Sequence, residues 1–354
     1  NVPICVLAIV MTMAVVPESR DKSDSHLDPL GAVLSILGLS GVLLAIIEAP
    51  ERGWGDSVVI AGFLLGASFL VGFAVWERRA AHPMLDVSFF KDPRFTAASG
   101  TITLTFFALF GSTFLLTQYF QFVLGYSPLK AGMMTAPVAI GIMLAGTNAP
   151  KIAARIGTKY TVVLGLVVLS LVLMSYASTT LMSSVLWGSL VRVVFGLGMG
   201  TIMAPATESI MSSLPRNKAG VGSAVNDTTR QTGGALGVAV IGSIFAARYH
   251  HLISPPAGLT GAAETAVRDS IGQARGVAAQ PGVPAALADQ IREAASSAYV
   301  GGMQLAVFVG AGITLFAAVI AWKYLPTRSA SPEQQAAEEL ELAERGQATV
   351  EALV

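Results

Sequence analysis

The chain has 354 residues, 53% hydrophobic and 12% charged, with a mean hydropathy of +0.65; soluble domains carry roughly 25% charged residues, so this composition belongs in a bilayer. Lys plus Arg and Asp plus Glu number 22 each, which leaves no basic excess to attract nucleic acid. Cys5 is the only cysteine and lies in an apolar run, so no intrachain disulfide is expected, and without a Cys/His cluster neither is a structural metal or iron–sulfur site.

Crossing ~30 Å of hydrocarbon takes about 20 apolar residues. Nine runs approach that length: 2–16, 30–47, 57–76, 97–120, 131–149, 160–177, 183–205, 220–247 and 300–322. The chain opens on Asn1 and enters VPICVLAIVMTMAVV with no basic n-region and no small-residue cleavage site, so the first run is not a signal peptide. It reads as the tail of a helix that begins upstream. The eighth run contains NDTTRQT, and only 233–247 is continuously apolar. Counted from Gly220 it becomes a full span with a polar patch at depth, tolerable where that face meets protein or a water-filled cavity.

Orientation follows from the basic residues of short loops. Arg20, Lys22, Arg78, Arg79, Lys91, Arg94, Lys151, Arg155, Lys159, Arg216, Lys218, Lys323, Arg328 and Arg345 fall on one side; the short loops of the other hold only Arg52 and Lys130. The first side is therefore read as cytoplasmic, with Asn1 external and the C-terminus inside. Residues 249–298 form an external connection in which short amphipathic helices are expected at 263–279 and 284–297, and residues 325–354 a polar tail with a Glu/Ala helical pattern. A solvated face is expected in both, not a binding site.

His26, His82, His250 and His251 all fall in loops, and no GxxxxGK[ST] loop occurs, so neither buried-histidine catalysis nor ATP-driven pumping has its residues here. The chain is not expected to be an enzyme or to need a cofactor beyond a proton gradient. A secondary transporter remains, with a channel disfavoured because the buried charges form one patch and no repeated ring. Arg192 lies about nine residues into the seventh run, ~14 Å from the outer face, and Arg230 reaches a similar depth from the other side. Each costs at least ~2.5 to 3.5 kcal/mol on insertion scales, so both should face the bundle interior and find partners. Asp227 and Asn226 precede Arg230 on one helical face, and Glu208 lies near the cytoplasmic end of the seventh run. Two readings stand. Either these charges are a structural salt bridge, or Asp227 is a protonatable carboxylate on which the neighbouring arginine and desolvation act in opposite directions. These carboxylates are few for two arginines and a moving proton, so a further acidic group is expected from upstream helices or from substrate.

Thr113, Thr117 and Gln121 recur at i, i+4 with Gln118 beside them, either lining a cavity or bonding back to their own helix. Gly196, Gly198, Gly200, Gly233, Gly234 and Gly237 are small-residue packing surfaces, and Pro137 and Pro205 mark kinks, fixed or used in gating.

Several stretches resemble the major facilitator superfamily, in particular its fourteen-span drug and proton antiporters of the EmrB/QacA type. NVPI followed by a helix ending VVPES resembles that family's sixth span, and QYFQFVLGYSPLKAG (118–132) its join between spans nine and ten. NAPKIAARIGTK (148–159), with Lys151, Arg155, Gly157 and Lys159, is similar to the basic cytoplasmic loop after the second helix of each half. RVVFGLGMG (192–200) resembles the C-terminal echo of the RxxxGxG helix motif, and AGVGSAVNDTTRQTGGALGVAVIG (219–242) the thirteenth span. The resemblance implies an all-α integral membrane protein with the major facilitator fold, seen from family span six to fourteen. It divides the chain into the last helix of an N-terminal bundle (1–16), two linker helices with cytoplasmic loops (17–96), a C-terminal six-helix bundle including the external loop (97–324), and a cytoplasmic tail (325–354). It further implies inverted three-helix repeats around a midplane cavity, with Thr113, Thr117, Gln118 and Gln121 opposite Arg192 and the Asn226, Asp227 and Arg230 patch. The implied activity is proton-coupled export of drugs or other amphipathic small molecules by alternating access in a bacterial inner membrane, with the missing N-terminal helices as partner. Transport of another solute by the same fold, or a membrane interaction module that transports nothing, are the alternatives.

Overall fold

Helix starts follow from cap chemistry that recurs along the chain. Asp28, Asp92 and Ser127 each precede a proline at the first helical position and accept from a backbone amide of the first turn, at 2.9, 2.8 and 3.3 Å. Asp56 does the same for Val58 at 2.8 Å without a proline. The proline has no amide hydrogen to orphan, and the cap side chain satisfies one of those that remain. A computed structural model describes residues 2–15 and 28–327 apart from 82, 84, 86, 179–184 and 214–218. The Glu/Ala tail beyond 327, His26, His82 and the basic residues Arg20, Lys22, Arg216, Lys218, Arg328 and Arg345 lie outside the described residues.

In chain order the helices are α1 (Val2–Val15), α2 (Pro29–Arg52), α3 (Ser57–Glu77), α4 (Pro93–Gln118), α5 (Pro128–Ile156), α6 (Thr158–Ala177), α7 (Val185–Ser212), α8 (Ala219–Leu252), α9 (Ala262–Asp269), α10 (Ile271–Ala278) and α11 (Ala285–Tyr324), with a 3₁₀ turn over Val87–Lys91 and a π turn over Tyr119–Val123. No strand occurs among the described residues. Among the described residues eight helices are long and apolar enough to cross a membrane, and they coincide with eight of the nine expected runs; the described part of the first run, α1, has 14 residues. The run containing NDTTRQT is helical without a break through α8. Pro137 and Pro205 lie inside α5 and α7, both of which continue past them.

The external connection departs from expectation. α8 continues to Leu252 and the expected second amphipathic helix is the opening of α11, so the connection shrinks to 253–284. Its expected first helix is split at Ser270, which caps α10. The helices are amphipathic: Thr265, Arg268 and Gln273 are exposed, while Ile253, Val267, Ile271, Ala274 and Val277 are buried in the main core.

Two three-helix units, α4–α6 and α7, α8 and α11, pack crosswise: α5 on α7, α4 on α8, and α6 on α11. Three helices separate the start of α4 from that of α7, so the two units enter the bilayer from opposite faces, which is an inverted repeat. Apolar side chains gain nothing by leaving lipid for one another, so these pairs hold by close backbone approach. On the α5–α7 seam, a Cβ on Gly196 would overlap the Val138 carbonyl, and one on Gly200 would come 2.6 Å from that of Ile142. Gly233 and Gly237 press against the carbonyls of Thr103 and Phe107 on α4, Gly234 against the Phe110 ring, and Gly198 lies 3.1 Å from the Gly165 carbonyl on α6 by the same measure. Gly157 joins α5 to α6 by itself at φ 95°, against the backbone of Thr327, which a side chain could not do without strain. Lys151 and Arg155 are exposed beside it, with Lys159 half-buried.

Replacing Gly196 or Gly237 with valine should destabilise the protein by about 1 to 3 kcal/mol or more through overpacking. Gly312→Ala, where an added Cβ meets nothing within 4 Å, should be neutral or mildly stabilising. Melting in detergent separates the two, and equal melting temperatures would show that the seams are not tight.

Candidate functional site

Polar groups at depth gather in two centres joined by α7. In the first, Arg192 is 4% exposed although it stands only seven residues, or ~10 Å, from the start of α7. Its guanidinium lies 4.9 Å over the Phe120 ring, Nη2 donates to Ser189 Oγ at 3.2 Å, and Nε is buried with no hydrogen-bond partner. Gly188, one turn nearer the helix start, gives it room: an added Cβ there would come 3.4 Å from Nη1.

Phe120 belongs to the π turn, in which the Leu124 amide donates to Tyr119 five residues back at 3.0 Å. Such widened turns are rare and concentrate at functional sites. Three other elements grip this one. Arg192 reaches it from α7, the Tyr299 hydroxyl of α11 donates to the Leu115 carbonyl just ahead of it at 2.7 Å, and Arg275 of α10 donates to the Val123 carbonyl at 3.2 Å. Burial holds the Arg275 guanidinium below its ordinary pKa, and the positive charge of Arg292 pushes the same way.

In the second centre, Arg230 of α8 lies 5.4 Å over the Phe106 ring of α4 and donates from Nη2 to Thr207 Oγ1 at 3.1 Å. Thr207 donates in turn to Asn226 Oδ1 at 3.3 Å, and Asn226 is 6% exposed. One hydroxyl of α7 thus links two side chains of α8.

The expected residues divide as follows. Asn226 and Arg230 come together, but through Thr207. Asp227 is exposed and makes no ion pair with Arg230, because Arg230 turns to α7 instead. Glu208 is exposed. Arg192 and Thr207 are fifteen residues apart on one helix, about 22 Å along its axis, so the two arginines do not face one shared patch. The ion pairs described for the chain, Arg52–Glu48, Arg268–Glu264 and Arg292–Asp289, involve neither arginine. On α4, Thr117 bonds back to the Thr113 carbonyl at 2.8 Å, Thr113 is exposed, and Gln118 and Gln121 are half-buried at the π turn. Thr207, Phe106, Phe120 and Tyr299 carry no sequence signal that marks them as site residues.

Comparison with known proteins adds kinship. Residues 1–238 match the family model described as Major Facilitator Superfamily. The chain is 33% identical over 322 residues, 90% of its length, to the multidrug efflux pump LfrA of Mycolicibacterium smegmatis, of which it covers 63%. It is 30% identical over 347 residues, 96% of its length, to the tetracenomycin C resistance and export protein of Streptomyces glaucescens, covering 64% of that protein. To the multidrug resistance protein Stp of Mycobacterium tuberculosis it is 32% identical over 259 residues, 72% of this chain and 47% of Stp. The chain spans between about half and two thirds of the length of these relatives.

Tyr299→Phe keeps the ring, 4.7 Å from Phe245, and removes only the bond to Leu115. A loss of about 1 kcal/mol is expected, read as a lower melting temperature in detergent; an unchanged value would mean that the π turn does not depend on this hydroxyl.

Proposed function

The chain belongs to the Major Facilitator Superfamily, and from that membership we propose that it is the C-terminal part of a proton-coupled exporter of drugs or other amphipathic small molecules. Asn1 is external and the C-terminus cytoplasmic in a bacterial inner membrane, and the N-terminal helices of the same protein complete the substrate cavity. The single observation that carries the reading is the bridge from Arg230 through Thr207 to Asn226, a charged polar connection between two helices in the span region. An arginine in the span region is costly in hydrocarbon, so its presence there argues for a task. The names of three relatives, two of them multidrug proteins and one an export protein, support export as its direction.

In this mechanism Asp227 carries the proton. With Arg230 on Thr207, Asp227 three residues away makes no ion pair with it. Movement of α7 past α8 breaks the Thr207 bond, and Arg230 turns to Asp227 in place of the proton. Thr113 and Gln118 on α4 and Gln121 in the π turn contribute to the wall that meets substrate, and Arg192 and the π turn form the external end of the path. The reaction needs no cofactor other than the proton gradient.

Substitutions at two positions test this in vesicles holding the full-length protein. Asp227→Asn should abolish export driven by a pH gradient, and undiminished proton-coupled flux would remove Asp227 from the coupling role. Thr207→Val keeps the shape of the side chain but removes the hydroxyl that holds Arg230 away from Asp227, so flux should fall several-fold while Thr207→Ser stays near wild type. Equal flux in both variants would show that the hydroxyl is not part of the cycle.

A further inference from the structure

Pro50 lies inside α2 and has no amide hydrogen, so the carbonyl four residues earlier, that of Ile46, has no partner on its own helix. In hydrocarbon such a carbonyl must be answered from elsewhere. α8 answers it: Ser243 Oγ donates to the Ile46 carbonyl at 2.5 Å, and Ser243 is 6% exposed. Ala239, one turn earlier on the same face of α8, is also buried and is small enough to let α2 lie against it. α2 in turn is locked to α3 along Gly38, Gly41, Gly62 and Gly66, where a Cβ on Gly66 would come 2.7 Å from the Val42 amide nitrogen. α1 differs, for its residues of described burial are exposed throughout.

We infer that the proline-freed Ile46 carbonyl and Ser243 form a latch that fastens the α2–α3 hairpin to the six-helix bundle. The hairpin then travels with this bundle, and the boundary that moves during transport lies before Pro29 instead of before α4. The second statement rests on the alternating-access reading; the latch itself does not.

Both are tested by pulsed electron paramagnetic resonance distances in the full-length protein in liposomes, after Cys5→Ser. Spin labels go on Gly55→Cys, at the open turn of the hairpin, and Gln280→Cys, exposed in the external connection. A single narrow distance is expected, unchanged by pH or by a lipophilic cation. Ser243→Ala should broaden it and shift it outward. Adding Pro50→Ala should leave it broad, because the amide that alanine supplies answers the Ile46 carbonyl within α2 and restores no bond to α8. No effect of Ser243→Ala, or a narrow distance regained on adding Pro50→Ala, overturns the latch. A wild-type distance that shifts with pH or cation overturns the claim that hairpin and bundle move together. If both variants behave as expected while no condition moves any labelled pair across the protein, the latch stands and alternating access fails.

Discussion

Hydrocarbon supplies neither water for a bare backbone group nor any hydrophobic force between apolar helices, and the organisation of this bundle answers both lacks. Glycines on α4, α5, α7 and α8 bring backbones into direct contact where larger side chains would hold them apart. Hydroxyls do the remaining work in two ways. Most fold back on their own helix, as Thr105 does on Thr101 and Thr314 on Gly310. A few reach a neighbour's carbonyl: Ser170 to Ala311, Tyr299 to Leu115 and Ser243 to Ile46. The second kind sets which helices behave as units.

Crosswise packing gives the transport reading its mechanical form. Each seam ties a helix of one repeat to a helix of the other, so α4 with α8 and α5 with α7 are stiff pairs. Polar groups also cross between these pairs. Thr207 and Arg230 make one such crossing, between α7 and α8. Arg192 over Phe120 makes another, between α7 and the π turn that ends α4.

Much of the fold was legible in the sequence because span length is set by the bilayer itself. The small-residue faces at Gly196, Gly200, Gly233 and Gly237 were legible for the same reason. Pairings between helices were not. The i, i+3 spacing of Asp227 and Arg230 suggested an ion pair, but the competitor, Thr207, lies on another helix and leaves no trace near them. Counting depth from the ends of runs placed Arg192 and Arg230 together at the midplane. Helical side chains lean toward the helix start, which carries the Arg192 guanidinium further toward the start of α7, and long cationic side chains reach toward the interface. The π turn breaks no propensity rule and could not be foreseen. The amphipathic helices of the connection were legible, and the face they bury could have been read too, since Val267, Ile271, Ala274 and Ala278 repeat at the three- and four-residue spacing of a core-facing stripe.

The central claim is that substrate and protons move in opposite directions through a bundle that includes these helices. Its most direct test is a pH-sensitive dye trapped in vesicles carrying the full-length protein under an imposed pH gradient. Adding a lipophilic cationic drug should drain that gradient while the drug is carried against the proton flow. A gradient that decays at the same rate with and without drug, in vesicles where the protein is folded and inserted, would contradict the account.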